Sequence, residues 1–180
     1  MDYQSILKKY DYADDKEIIE RISCSSGNNT LENQDIINSI VLWKINRQIE
    51  ISNSTFLKIK ELKNENLQQL NLVKNKIIEI LLELLNSKGV QIAMASTILK
   101  MFHPNIFPII DQRAYRELYN QAFPKYYGKN AVFKYADLYW KYLTDCHSYN
   151  KKNCPEIEFY YLDKLLYQLD IEKGNKVDNY

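Results

Sequence analysis

An all-α fold is the class this sequence predicts, and three observations predict it. Only 4 glycines and 4 prolines punctuate the 180 residues, which leaves long uninterrupted segments. Apolar side chains recur along those segments at spacings of three and four, and no run shows the alternation of a half-buried strand. A composition of 46% hydrophobic and 26% charged residues is ordinary for a soluble globular protein. The length suits one sizeable core, divisible into two small lobes but not into two independent domains. No internal repeat is present.

The chain divides into about eight helices. Residues 3–23 carry Ile6, Leu7, Tyr10, Ile18, Ile19 and Ile22 at helical spacing, with Asp14-Asp15 as a cap between two short helices. The polar stretch from Ser23 to Thr30 reads as the clearest linker. A helix expected to begin at Asp35 gathers Ile36, Ile37, Ile40, Val41 and Trp43 into one stripe, and a short amphipathic helix follows over 53–63. Leu67, Leu70, Val73, Ile77, Ile80 and Leu84 form the next stripe, broadened by Leu72, Ile78, Leu81 and Leu85. That width suits a helix buried in a globular core rather than a coiled coil.

Gly89 closes this helix at the position where a left-handed backbone is favoured, and a new helix resumes from Ile92. Helix, short glycine-containing turn and helix make the shape of a helix-hairpin-helix. His103-Pro104-Asn105 stops the second helix, Ile106 to Ile110 crosses as an extended apolar connection, and Asp111 starts a helix that runs through Tyr119. Tyrosine-rich 131–148 and then 156–170 supply the last helices, and the polar tail from Glu172 reads as frayed.

A net charge of +1 announces no global positive field, so a nucleic-acid partner has to be held by local geometry. Cys24, Cys146 and Cys154 form neither an even disulfide framework nor a CxxC pair, and Met1-Asp2-Tyr3-Gln4 lacks a basic flank with an apolar run. A reducing cytoplasm fits these features. No window approaches the roughly 18 consecutive apolar residues of a membrane span. His103 and His147 are far apart and without ligand spacing, so both are read as structural and no metal is assigned.

Two local patterns carry chemistry. A turn around Lys88, Gly89, Val90, Gln91, Ile92 and Ala93 opens a helix, and backbone N–H groups at a helix start bind phosphate without needing excess basic charge. The plainer account of the same residues is a capped helix end and an ordinary tight turn. Asp111 lies 22 positions beyond Gly89; before Gln112-Arg113-Ala114 it is a good N-cap, and a capping carboxylate can still offer its second oxygen to a ligand. Trp43 and Arg47 stand four apart on one helix face with Lys44 beside them, which permits a wall for a planar ligand, or simply a core tryptophan with solvated basic neighbours. Tyrosines between 115 and 142 can stack on a base, although a tyrosine stripe is more commonly core.

Trp43-Lys44 with Arg47, Gly89-Val90 with Ala95-Ser96, Pro104, Pro108, Asp111 with Arg113-Ala114, and Leu162-Asp163 with Leu165 occur together in that order. In this they resemble the helix-hairpin-helix DNA glycosylases, and within them the small bacterial 8-oxoguanine glycosylase-like branch, over roughly residues 36–170. The resemblance implies a single two-lobed domain over 1–180 with a cleft between the lobes. In it 30–84 form a helical lobe, 85–125 carry the hairpin and the acid, and 1–29 and 126–180 supply packing helices. Two departures stand out. Gln91 replaces the second hairpin glycine, so the turn lacks the family's backbone freedom at that point and whether the phosphate site is weakened stays open, and Ala93 occupies the place of the catalytic lysine of bifunctional members.

The resemblance implies a monofunctional enzyme that flips a damaged or modified base out of double-stranded DNA and hydrolyses its N-glycosidic bond. Asp111 is then the catalytic carboxylate. Lys88, Gly89, Val90, Gln91, Ile92, Ala93, Ser96 and Arg113 contact DNA, and Trp43, Lys44 and Arg47 line the base pocket. Neither a cofactor nor an iron–sulfur cluster is expected, and a monomer is. An oxidised purine or a hypermodified pyrimidine of viral DNA is the implied target. The alternatives are a non-catalytic hairpin that only binds DNA and an all-α interaction module in which Asp111 is merely a cap.

Overall fold

The computed structural model describes residues 2–8, 16–44, 49, 51–64 and 69–176. Among them are nine α-helices and no strand. They are α1 (Tyr3–Leu7), α2 (Lys16–Cys24), α3 (Thr30–Lys44), α4 (Asn53–Glu61), α5 (Leu70–Asn86), α6 (Ile92–Phe102), α7 (Gln112–Tyr119), α8 (Ala131–Asn153) and α9 (Leu162–Glu172). Tight 3-10 turns extend α4 over Leu62–Asn64 and precede α9 over Phe159–Tyr161. No helix among the described residues is long and apolar enough to cross a membrane.

The fold is built around α6. Nine of its eleven residues are buried, leaving only Ala93 and Phe102 partly open, and a helix hydrophobic on all sides belongs inside a core. Helices α2, α3, α4, α5 and α8 pack around it, while α7 and α1 pack on α9. The α3 stripe expected from spacing is inside, with Ile36, Ile37, Ile40 and Val41 at 2% exposure or less. In α5 Val73, Ile77, Ile80, Leu81 and Leu84 are buried, whereas Leu72 points outward at 77% exposure and does not broaden the stripe. Leu67, Tyr10 and the Asp14-Asp15 cap lie outside the described residues.

Several boundaries differ from expectation, each for a local reason. Helix α3 begins at Thr30 rather than Asp35, because the Asn29 Oδ1 accepts the amides of Leu31 (3.0 Å) and Glu32 (3.3 Å) and caps it more than a turn earlier. Asp35 lies inside the helix, paired with Arg21. The loop before it is no linker: Ser25 and Gly27 are buried, and Asn33 Nδ2 donates to the Gly27 carbonyl at 3.0 Å. Gly27 adopts φ +77°, and an added Cβ would meet the Lys60 Cδ at 3.0 Å. Helix α8 continues past 148 to Asn153. Nor is the tail frayed as far as Lys176, since Arg113 holds the Asn175 carbonyl and Arg116 that of Lys176.

Candidate functional site

Between α5 and α6 the chain turns in five residues. The last helical residue is Asn86, and the next, Ser87, is already extended (φ −77°, ψ 144°). Its carbonyl accepts the Val90 amide at 3.2 Å. Gly89 has φ +79°, the left-handed conformation expected of it, although it sits in the turn proper rather than directly at the helix end. Val90 and Ile92 bury their side chains while Lys88, Gly89 and Gln91 are exposed. Gln91 takes no special conformation. Its φ of −105° and ψ of 173° are ordinary extended backbone, so no second glycine is required there. No side chain caps the first turn of α6, which begins with Ile92 and Ala93.

Asp111 stands at the far end of a segment without regular secondary structure, 107–110. It is the N-cap of α7, and its Oδ1 accepts the Ala114 amide at 2.8 Å. The segment before it has no helix or sheet to satisfy its backbone, and side chains from three helices do so instead. Tyr139 donates to the Pro108 carbonyl at 2.9 Å and Tyr142 to the Ile109 carbonyl at 3.0 Å. Asp163 Oδ2 accepts the Ile109 amide at 2.8 Å, and Ser96 Oγ accepts that of Ile110 at 3.1 Å. The carboxylate thus leaves a backbone gripped on both edges.

Asp111 opens onto a cavity of about 800 Å³. Its lining includes the turn and the start of α6, with Val90, Gln91, Ile92 and Ala93, and a set of aromatic side chains, Phe123, Tyr126, Tyr127, Tyr135 and Tyr167. The Tyr135 hydroxyl accepts the Tyr126 amide at 3.0 Å, and the two rings meet edge to face at 4.9 Å, so this part of the lining is braced. Asn120 takes a left-handed conformation (φ 53°) that ends α7, and the loop after it supplies Phe123, Tyr126 and Tyr127 to the lining. Burial pushes the Asp111 pKa above the ordinary aspartate value; the Lys44 ammonium and the Ala114 amide oppose the rise without cancelling it, and the like charge of Asp163 adds to it. A second cavity of about 810 Å³, between the start of α5 and the C-terminal half of α8, has no carboxylate in its wall.

The other predicted residues separate. Ser96 is wholly buried, donating to the Ala93 carbonyl at 2.8 Å while it accepts the Ile110 amide, so it is an internal brace and not a DNA contact. Arg113 also lines the cavity, but its guanidinium holds Asp170 (3.1 Å) and the Asn175 carbonyl (3.0 Å) and lies over the Tyr167 ring. Trp43 and Lys44, at the end of α3, are not in the cavity wall; Lys44 acts on Asp111 through its charge and sits over the Trp43 ring at 5.9 Å. Arg47 lies outside the described residues.

The sequence assigns no role to Phe123 or Tyr167 and offers the tyrosines only as a group: Phe123, Tyr126 and Tyr127 lie in an irregular loop with no period to reveal which way they face, and the helical Tyr135 and Tyr167 read equally well as core. The two histidines hold carbonyls, His103 that of Ile59 and His147 that of Ile106. Among the described residues no three His, Cys, Asp or Glu side chains come together in a form that could hold a metal. No protein-family model matches the chain, and no curated protein and no solved structure matches it significantly.

Proposed function

We propose that the protein is a monofunctional DNA glycosylase that removes a modified base from double-stranded DNA and leaves an abasic site. The observation that carries this reading is a single carboxylate, Asp111, bonded to the Ala114 amide and lining one cavity with the start of a helix entered through a glycine turn. In this reading α5, the turn and α6 are a helix-hairpin-helix in a two-lobed fold, and the cavity is the cleft between the lobes. The exposed turn at Lys88–Gln91 and the uncapped first turn of α6 receive a backbone phosphate.

A nucleotide rotated out of the duplex enters the cavity and lies against its aromatic wall. Cleavage of the N-glycosidic bond builds positive charge on the sugar, which the Asp111 carboxylate stabilises while it orients or deprotonates the attacking water. The bonding electrons leave with the base. Elevation of the Asp111 pKa by burial makes it a better proton acceptor near neutral pH. Ala93 in the cavity wall offers no amine, so no imine with the sugar and no strand cleavage are expected at that position.

The volume lies within the roughly 300–1,000 Å³ of ligand sites and has room for either target, an oxidised purine or a hypermodified pyrimidine. Three unpaired cysteines suit a reducing cytoplasm. The decisive experiment compares Asp111→Asn with the natural chain on a panel of modified duplexes, scoring base release and duplex binding separately. Loss of release with binding retained supports the assignment. Equal release by both chains would overturn it, and binding without release by either would leave a non-catalytic DNA-binding hairpin.

A further inference from the structure

Lys100 and Asp163 are 0% and 2% exposed, and the Lys100 Nζ lies 3.2 Å from the Asp163 Oδ1. Lys100 also donates to the Tyr160 carbonyl at 2.5 Å and sits 4.7 Å from the centre of the Tyr160 ring. An ion pair this deep is poorly explained by stability, because desolvation of both charges offsets their attraction and an apolar pair of similar volume commonly serves as well. What an apolar pair cannot do is present a fixed acceptor to the Ile109 amide, as the Asp163 Oδ2 does at 2.8 Å.

That amide lies two residues before Asp111, in a segment whose other backbone groups are held by Tyr139, Tyr142 and Ser96. Lys100 lies on α6, the helix that begins at the proposed phosphate-binding turn, so one rigid element carries both the turn and the root of the clamp. We propose that the Lys100–Asp163 pair is a positioning device: Lys100 fixes Asp163, Asp163 fixes Ile109, and the segment so held aims the Asp111 carboxylate into the cavity. The placement follows from the geometry alone. Its effect on base release rests on the glycosylase reading.

Two double variants test this. Lys100→Met with Asp163→Leu removes charge and acceptor together; Lys100→Met with Asp163→Asn removes the charges and keeps a carbonyl for the Ile109 amide. In the apolar variant the Ile109 and Ile110 amides exchange with solvent at least ~100-fold faster while those of α8 keep their protection. Its single-turnover base release falls about 30- to 100-fold with duplex affinity changed less than about twofold, because a misplacement of ~1 Å is enough to cost that much. The asparagine variant brings both readouts back to within about threefold of the natural chain.

Unchanged exchange at Ile109 and Ile110 in the apolar variant overturns the proposal, as does a fall in affinity equal to the fall in rate. Should that variant fail to fold, Lys100→Met alone takes the ammonium from Asp163; faster exchange at Ile109 and slower release are expected, and unchanged exchange at Ile109 overturns the proposal. If the natural chain releases no base from any duplex, the glycosylase reading fails, and amide exchange still decides the positioning.

Discussion

Ser96 and Ile110, fourteen residues apart in sequence, share one hydrogen bond: the buried Ser96 Oγ accepts the Ile110 amide at 3.1 Å while it donates to the Ala93 carbonyl at 2.8 Å. One hydroxyl therefore ties the first turn of α6 to the residue that precedes Asp111. Ser96→Ala keeps the shape of the core and strands a buried amide, which costs about 1–3 kcal/mol. Urea unfolding should show this as a lower midpoint with an unchanged slope. A midpoint equal to that of the natural chain would mean that the amide has another partner.

Asp111→Asn separates stability from activity. Asparagine caps a helix about as well as aspartate, so the Ala114 amide keeps its acceptor. Burial raises the folded-state pKa of Asp111, so folding disfavours its ionised form relative to the unfolded chain. The natural chain pays no penalty below the pKa of the unfolded chain and loses stability as pH rises through the folded value. The variant escapes that loss. Its melting temperature is expected to match the natural chain near pH 4 and to exceed it at pH 7.5, while base release disappears. For the natural chain, release should fall on acidification at a pH above the ~4 of an ordinary aspartate; an acid limb at or below that value would contradict the buried site.

Ala93→Lys places an amine in the wall of the cavity that Asp111 shares. Attack of that amine on the sugar carbon would release the base and form an imine, and elimination would then cleave the strand. Borohydride should trap a covalent protein–DNA complex with the variant and none with the natural chain. Failure to trap any complex, with the variant folded and bound to DNA, would place the sugar away from Ala93.

Asp170, wholly buried, accepts from Arg116 at 2.7 and 2.6 Å, from Arg113 at 3.1 Å and from Asn175 at 2.8 Å. Burial alone would raise its pKa, but these partners outweigh burial and hold it below the ordinary value. Its stabilising effect is present above the pKa of the unfolded chain and is lost as pH falls through the folded one. Arg116→Met should cost about 2–3 kcal/mol at pH 7, with Arg113 still in place. Mild acidification should then lessen the deficit, because protonation relieves a carboxylate left short of partners. Melting curves at pH 7 and pH 5 for both chains measure this, and a deficit that grows on acidification would contradict the account.

Local chemistry was legible wherever the partner lies within one helical turn. The α3 stripe and the Asp111 cap depend on neighbours three or four residues away and are where spacing puts them, and Gly89 is left-handed as its backbone freedom allows, though two residues beyond the helix cap. The start of α3 was misplaced because Asn29 and Asp35 both offer cap chemistry, and only the surrounding packing selects between them. The predicted DNA contact at Ser96 had the same origin. A small polar residue after a glycine turn can face solvent or the core, and the helix here is buried on every side.

From the sequence alone come the all-helical class, the turn between α5 and α6, and an acid capping the helix beyond it, since periodicity, backbone preference and capping are short-range effects. Only the tertiary structure decided that this acid faces a cavity rather than the core. It also decided that Lys100 and Asp163, 63 residues apart, lie behind it and that Arg113 turns to Asp170. Those contacts join residues with no spacing relationship, and the packing of α6, α7 and α9 creates them by leaving buried polar groups that must find partners.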